Sequence, residues 1–166
     1  GIECIIEATG HPLAGTRHAL MAIEAGKHIV MVNVEADVMC GPILARKARE
    51  KGQLFIADRT PIDAASYMLS EVHRTAIDSP EVSRLVNDYV ARCLKSTMEH
   101  FSVVILVQPG IKVQDQAGKG AACPANIEHL NSVQLGLLAD ERNQVRRYAI
   151  PRGVREGEVL AEGLWR

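Results

Sequence analysis

The fold prediction is based mainly on residues 6–52, whose sequence is IEATGHPLAGTRHALMAIEAGKHIVMVNVEADVMCGPILARKAREKG. In and around this stretch, short apolar runs alternate with segments whose apolar residues recur at three- and four-residue steps, a pattern typical of parallel βαβ units. The predicted strands cover residues 3–8, 28–33 and 53–57, and the predicted helices cover residues 12–25 and 42–51. The sequence therefore predicts an α/β fold with half of a doubly wound parallel sheet.

Glycine and proline mark the predicted helix boundaries. Gly26 ends the first helix, and Gly41-Pro42 opens the second, where the missing N–H of a proline costs nothing. Residues 8–11 and 33–37 are then polar loops that follow the first and second strands. Because ligands of parallel sheets bind at the carboxyl ends of the strands, we expect the functional residues in these two loops.

Two carboxylates, Glu35 and Asp37, fall in the second of these loops. On one side of an extended segment they could act as a general base or bind a polar substrate. A solvated loop would carry the same residues, and that alternative stays open.

Three motifs in this region resemble a known family. They are EATG (residues 7–10), the helix and turn HALMAIEAGKH (residues 18–28) and VNVEAD (residues 32–37). Together they look like the second half of the Rossmann-type nucleotide-binding domain of homoserine dehydrogenase-like oxidoreductases, in the branch that carries a C-terminal SAF-type domain. The resemblance covers about a third of the chain, up to residue 58.

The resemblance implies an NAD(P)-dependent oxidoreductase, or a fragment of one, that transfers hydride on a small polar hydroxy or oxo substrate. It implies that Ala8, Thr9 and Gly10 border the nicotinamide ribose and that Asn33 lies near the nicotinamide ring. Glu35 would then face the substrate as the nearest group able to move a proton. True homoserine dehydrogenases carry a lysine just after the asparagine, where this chain has Val34, so homoserine is not the expected substrate.

The phosphate-binding part of a dinucleotide site is missing from the sequence. Pyrophosphate recognition needs a glycine-rich turn between a strand and a helix, and no GxGxxG occurs in the chain. The triplet Gly118-Lys119-Gly120 is similar to a GKG of the SAF branch, which makes Lys119 a candidate catalytic residue, but its neighbours differ and a surface turn is the alternative. We expect the missing half to lie upstream in a longer gene or in a partner chain.

Beyond residue 58 the prediction rests on pattern alone. The pattern predicts helices over residues 60–75, 79–101 and 127–139, the last of them capped by Asn126. It predicts strands over residues 101–107 and 145–150 and a loop over residues 111–124. Residues 151–166 form a tail that is either SAF-like or a hairpin. Three regions follow: a Rossmann half (1–58), an α/β region without an assigned role (59–150) and the tail.

The helix predicted over residues 81–101 has the strongest apolar stripe in the chain. Such a stripe is either a core-facing seam or a surface for a second copy or another domain. The second case supports an alternative function, a cofactor-free Rossmann-like module for binding or assembly, with a homo-oligomer as one form.

Composition excludes several other classes. Nineteen basic and twenty acidic residues give a net charge of −1, so neither nucleic acid nor an anionic membrane is an expected partner. The chain lacks an apolar run of about 20 residues and a basic leader start, which predicts a cytoplasmic protein. Scattered cysteines and histidines predict no metal site, and GxSxG and P-loop motifs do not occur.

The first residue, Gly1, indicates a removed methionine or a piece of a longer chain.

Overall fold

A computed structural model describes residues 1–76, 79–110 and 123–152 of the chain. The chain divides into two compact units, residues 1–60 and residues 61–166. Both contain helices and parallel strands, so the predicted α/β class is confirmed.

The first unit is a three-stranded parallel sheet with two helices. Its elements are β1 (Cys4–Glu7), α1 (Pro12–Glu24), β2 (His28–Met31), α2 (Val34–Glu50) and β3 (Phe55–Ala57). The strands are ordered β1-β2-β3 and all run parallel, as predicted. One face of the sheet packs on both helices, because Ile29 and Met31 of β2 join Ile23 of α1 and Leu44 of α2 in one apolar cluster.

The opposite face of this sheet is apolar too. Ile6, Val30 and Ile56 are in register across the three strands, and Ile6 and Ile56 are 69% and 53% exposed. The strands therefore carry apolar residues on both faces, which is the composition of strands in two-sided α/β sheets.

The second helix begins eight residues before its predicted start. Asn33 is its N-cap, and Oδ1 of Asn33 accepts a hydrogen bond of 3.1 Å from the backbone N–H of Ala36. Two acidic residues occupy the first turn, where carboxylates interact favourably with the helix dipole. Pro42 lies inside the helix, so the prediction that it opens the helix after an extended 33–37 loop was wrong.

The described residues of the second unit form three helices and two strands. They are α3 (Pro61–Thr75), α4 (Pro80–His100), β4 (Val103–Val107), α5 (Pro124–Ala139) and β5 (Arg146–Ile150). The two strands pair in parallel, with Val103 opposite Arg146. The N-cap residue of α5 is Cys123 rather than the predicted Asn126, since the helix starts three residues earlier than expected.

The apolar stripe of α4 faces the core of the second unit. Val90, Cys93, Leu94 and Thr97 are buried, and the first three join a cluster with residues of α3, β4 and α5. Of the two interpretations of this stripe, the core-facing seam is the one that the structure shows for these positions.

Two predicted segments fall largely or wholly outside the described residues. They are the loop over 111–124, of which residues 111–122 are not described, and the tail from residue 153 onward. Among the helices that the structure describes, none combines the length and apolarity needed to cross a bilayer.

Candidate functional site

The carboxyl ends of β1 and β2 meet at one edge of the first sheet. Glu7 of β1 is opposite Met31 of β2, and the chain then bends away from both strands. The backbone carbonyl of Glu7 accepts hydrogen bonds from the amides of Val32 (2.9 Å) and Asn33 (3.1 Å). The two strand exits are thus bonded to each other, so that the loops leaving them lie side by side.

A buried carboxylate organises this edge. Glu7 is only 2% exposed because the alternation of β1 turns Ile5 and Glu7 toward the helices. Its Oε1 accepts from the backbone N–H of Thr9 (2.9 Å), from the Thr9 hydroxyl and from Nδ2 of Asn33 (3.3 Å). Its Oε2 lies 2.6 Å from Nδ1 of His18.

These bonds keep Glu7 ionised. Burial raises the pKa of the Glu7 carboxyl, but the hydrogen bonds from Thr9, His18 and Asn33 lower it by more, to about 2. A buried anion that is satisfied by several donors is a rigid arrangement, because each donor that is removed leaves part of the charge without a partner.

Asn33 connects the two loops. Its Nδ2 lies 3.3 Å from both Glu7 Oε1 and Thr9 Oγ1 and 3.1 Å from the backbone carbonyl of His11, while its Oδ1 caps α2. An amide carries two hydrogens, so these acceptors already use its full donor capacity. Asn33 therefore holds the neighbouring loop in place and has no polar hydrogen left for a ligand.

Gly15 of α1 allows this contact between helix and asparagine. A Cβ at residue 15 would lie 2.4 Å from Nδ2 of Asn33 and 2.9 Å from Cβ of Ala36. Any side chain there would displace Asn33 from its partners or push α1 away from α2. The close approach of the helices thus depends on a glycine in the second turn of α1.

The loop over residues 8–11 forms the exposed rim of the site. Ala8, Thr9, Gly10 and His11 are all exposed, although Thr9 is held from below by Glu7. Gly10 has φ of +68°, and a Cβ there would meet no atom within 4 Å. The side chain of His11 caps α1, because its Nδ1 accepts from the backbone N–H of Ala14 at 3.3 Å.

The predicted pair of carboxylates is not a pair. Glu35 and Asp37 lie two residues apart in the first turns of α2, where a helix turns about 200° between them, so they point in different directions. Glu35 is exposed. The pKa of Asp37 is raised to about 6 by burial and by the negative charge of Asp58.

The predicted site residues lie in three different places. Ala8, Thr9, Gly10 and Asn33 come together at the edge, Glu35 lies at the start of the adjacent helix, and Lys119 lies outside the described residues. The described residues contain no group of three side chains able to hold a metal ion.

Sequence reasoning missed His18, Gly15 and the central place of Glu7. A charged residue that ends the apolar run CIIE was the available signal for Glu7, since a buried strand rarely carries an acid without partners. His18 and Gly15 gave no comparable signal, because their importance comes from contacts with residues 11 and 18 positions away.

Comparison with known proteins adds no relative, since no protein-family profile, curated protein or solved structure matches this chain.

Proposed function

We propose that the first unit forms the nicotinamide side of an NAD(P)-binding site in an oxidoreductase. The substrate class is a small polar hydroxy or oxo compound. The observation that supports this most directly is the exposed loop of residues 8–11 at the carboxyl edge of a parallel sheet, held from below by Glu7 and Asn33. The EATG and VNVEAD motifs, which resemble homoserine dehydrogenase-like enzymes, supply both strand exits.

The rim fits a flat ring that approaches along the backbone. Gly10 offers no side chain, and the space where its Cβ would lie is open. Ala8 and Gly10 are exposed, and their backbone groups would supply the polar contacts to a ligand. The Thr9 hydroxyl is already engaged, because it donates to Glu7 and accepts from Asn33 and from the backbone N–H of His11. Asn33 serves this site as a positioning residue rather than as a direct ligand, because its amide is already engaged.

NAD(P) would supply a hydride acceptor or donor at this rim. The residues of the chain would orient the ring and keep the loop rigid, while the proton of the reaction passes through a side chain at the same edge. The sequence lacks a glycine-rich turn for the pyrophosphate, so that part of the binding site would come from residues other than these.

The alternative, a cofactor-free module for binding or assembly, was based on the stripe of α4. Four residues of that stripe are buried, and they include Val90, Cys93 and Leu94 of the core of the second unit. These positions are therefore used inside the unit, although Leu85 and Met98 of the same helix are 61% and 38% exposed. The nicotinamide site is the proposal that we develop.

Calorimetric titration of the intact chain with NADH and NADPH tests the proposal. We expect measurable binding weaker than about 1 μM, because the pyrophosphate cradle is absent. Gly10→Ala should weaken it several-fold. Gly26→Ala is a matched control, since Gly26 also has a positive φ (+71°) and an open Cβ position but lies at the other edge of the sheet. Equal effects of the two substitutions, or no heat of binding at all, would contradict the proposal.

A further inference from the structure

The hydrogen-bond partners of two histidines near the edge of the first sheet imply opposite tautomers for their neutral rings. Nδ1 of His18 lies 2.6 Å from Oε2 of Glu7, and an ionised carboxylate can only accept. Nδ1 of His18 therefore carries a hydrogen. In the neutral ring, Nε2 is then the atom with the free lone pair.

His11 has the reverse arrangement. Its Nδ1 accepts from the backbone N–H of Ala14, which can only donate, so Nδ1 carries the lone pair and Nε2 carries the hydrogen. Asn33 joins both histidines in one network, since its Nδ2 donates to the carbonyl of His11 and also contacts Glu7. One edge of the sheet thus presents an imidazole that accepts a proton through Nε2 and another that donates from Nε2.

The surroundings of His18 suit proton transfer. Its side chain is 47% exposed, while the side chain of its partner Glu7 is 3% exposed and is anchored by Thr9 and Asn33. Within the described part of the chain, Nδ1 is the ring atom of His18 that forms a hydrogen bond. A buried anion behind an exposed imidazole fixes the orientation of the ring.

We propose that His18 is the proton-transfer residue of this site and that Glu7 is its positioning residue. This inference rests on the proposed function. If bound oxidised NAD(P) supplied the hydride acceptor, oxidation of an alcohol would break its C–H bond with loss of hydride and would break its O–H bond, and Nε2 of His18 would accept the hydroxyl proton. The electron pair of that O–H bond completes the carbonyl group. The protonated imidazole then releases the proton to water, and the reverse reaction uses the same atoms.

Glu35, the proton carrier that the sequence suggested, is a weaker candidate on this geometry. It is an exposed side chain in the first turn of α2. His18, in contrast, is bonded to the group that holds the rim loop, so its position relative to residues 8–11 is fixed.

Long-range proton–nitrogen NMR of the intact ¹⁵N-labelled chain tests the orientation. At about pH 9, where an ordinary histidine is neutral, His18 should show the Nδ1–H tautomer and His11 the Nε2–H tautomer. His18→Gln and His11→Gln assign the signals by their loss. In Glu7→Gln, His18 should return to the Nε2–H form that free histidine prefers. An Nε2–H tautomer of His18 in the unaltered chain would overturn the inference.

Chemical modification tests the reactivity of Nε2 and its link to the proposed site. Diethyl pyrocarbonate transfers an ethoxycarbonyl group to an imidazole nitrogen with a free lone pair and releases ethyl carbonate. Peptide mass spectrometry should show His18 modified at least several-fold faster than His11, and nicotinamide mononucleotide should slow the modification of His18. The exposed His100, whose Nδ1 lies 2.9 Å from the carbonyl of Ser96, is the control that the nucleotide should not protect.

These outcomes separate the two proposals. An oriented, reactive His18 that the nucleotide does not protect would overturn its role in a nicotinamide site and would count against the proposed function. An unoriented His18 in a chain that still binds NADH would overturn the proton-transfer role alone.

Discussion

Replacing Glu7 with glutamine should destabilise the first unit more than any other conservative change at its sheet edge. Glutamine keeps the size of the side chain but removes the charge, and it places an amide N–H₂ among donors from Thr9, His18 and Asn33. The pKa of the Glu7 carboxyl falls from 4.5 to about 2 in the folded chain, which corresponds to about 3 kcal/mol of stability at neutral pH.

The pKa of Glu7 also determines how the stability of the first unit depends on pH. Because the folded pKa of Glu7 is below 4.5, its contribution is fully present above pH 4.5 and is lost as the pH falls through about 2. The difference in stability between the unaltered chain and Glu7→Gln should therefore be about 3 kcal/mol at pH 7 and clearly smaller at about pH 3.

The assay must report on the first unit alone. All three tyrosines and the single tryptophan lie beyond residue 60, so intrinsic fluorescence does not report on the unfolding of the first unit. Amide NMR signals of residues 1–60 followed against urea at pH 7 and about pH 3 give the free energy directly. Glu3→Gln is the control, since Glu3 is exposed. Equal urea midpoints for Glu7→Gln and Glu3→Gln at pH 7, or a difference between them that widens in acid, would contradict this role of the Glu7 carboxylate.

Three further predictions concern stability. Gly15→Ala should cost at least about 2 kcal/mol by urea titration, because its Cβ would clash with Asn33, while Gly136→Ala, with open space around its Cβ, should stabilise α5 by up to about 1 kcal/mol. The folded pKa of Asp37 is about 6, above its ordinary 3.8, through burial and a neighbouring aspartate, so its stabilising effect below pH 3.8 is lost as the pH rises through 6. Asp37→Asn should thus raise the free energy of unfolding of the first unit at pH 8, by up to about 1 kcal/mol given solvent screening, and not at pH 3. An unchanged urea midpoint at pH 8 would count against this prediction. Ser79→Ala should cost about 1 kcal/mol in the thermal unfolding of the second unit, since the Ser79 hydroxyl caps α4, and Ser79→Asp should restore it.

Periodicity predicted the fold because each strand and helix of the first unit carries its own signal. The runs ending at Glu7 and Met31 are short and apolar, and the intervening residues repeat at helical spacing. The prediction placed the start of α2 at Pro42, because proline is common in the first turn of a helix. An asparagine followed by two acids is also a helix-start signal, and Asn33 is the actual N-cap. The parallel pairing of β4 with β5 had no local signal, since it joins residues about 43 positions apart.

The positions of some candidate site residues could be predicted from the sequence, because they follow from the order of strands and helices. The loop over residues 8–11 and Asn33 follow strands, so their meeting at one edge follows from a parallel sheet. The roles of individual atoms do not follow from topology. The amide hydrogens of Asn33 are used in hydrogen bonds within the chain, and His18 contacts Glu7. Both facts depend on side-chain geometry between helix and sheet, which the topology does not specify.

The most direct test of the nicotinamide site compares the two halves of the cofactor. Amide NMR spectra of the intact chain would be recorded during titration with reduced nicotinamide mononucleotide and, separately, with adenosine monophosphate. We expect the nicotinamide half to shift the amide signals of Thr9, Gly10 and His11 in a saturable way, and the adenosine half to leave them unchanged. Saturable shifts with adenosine monophosphate alone, or no shift in residues 8–11 with either compound, would contradict it.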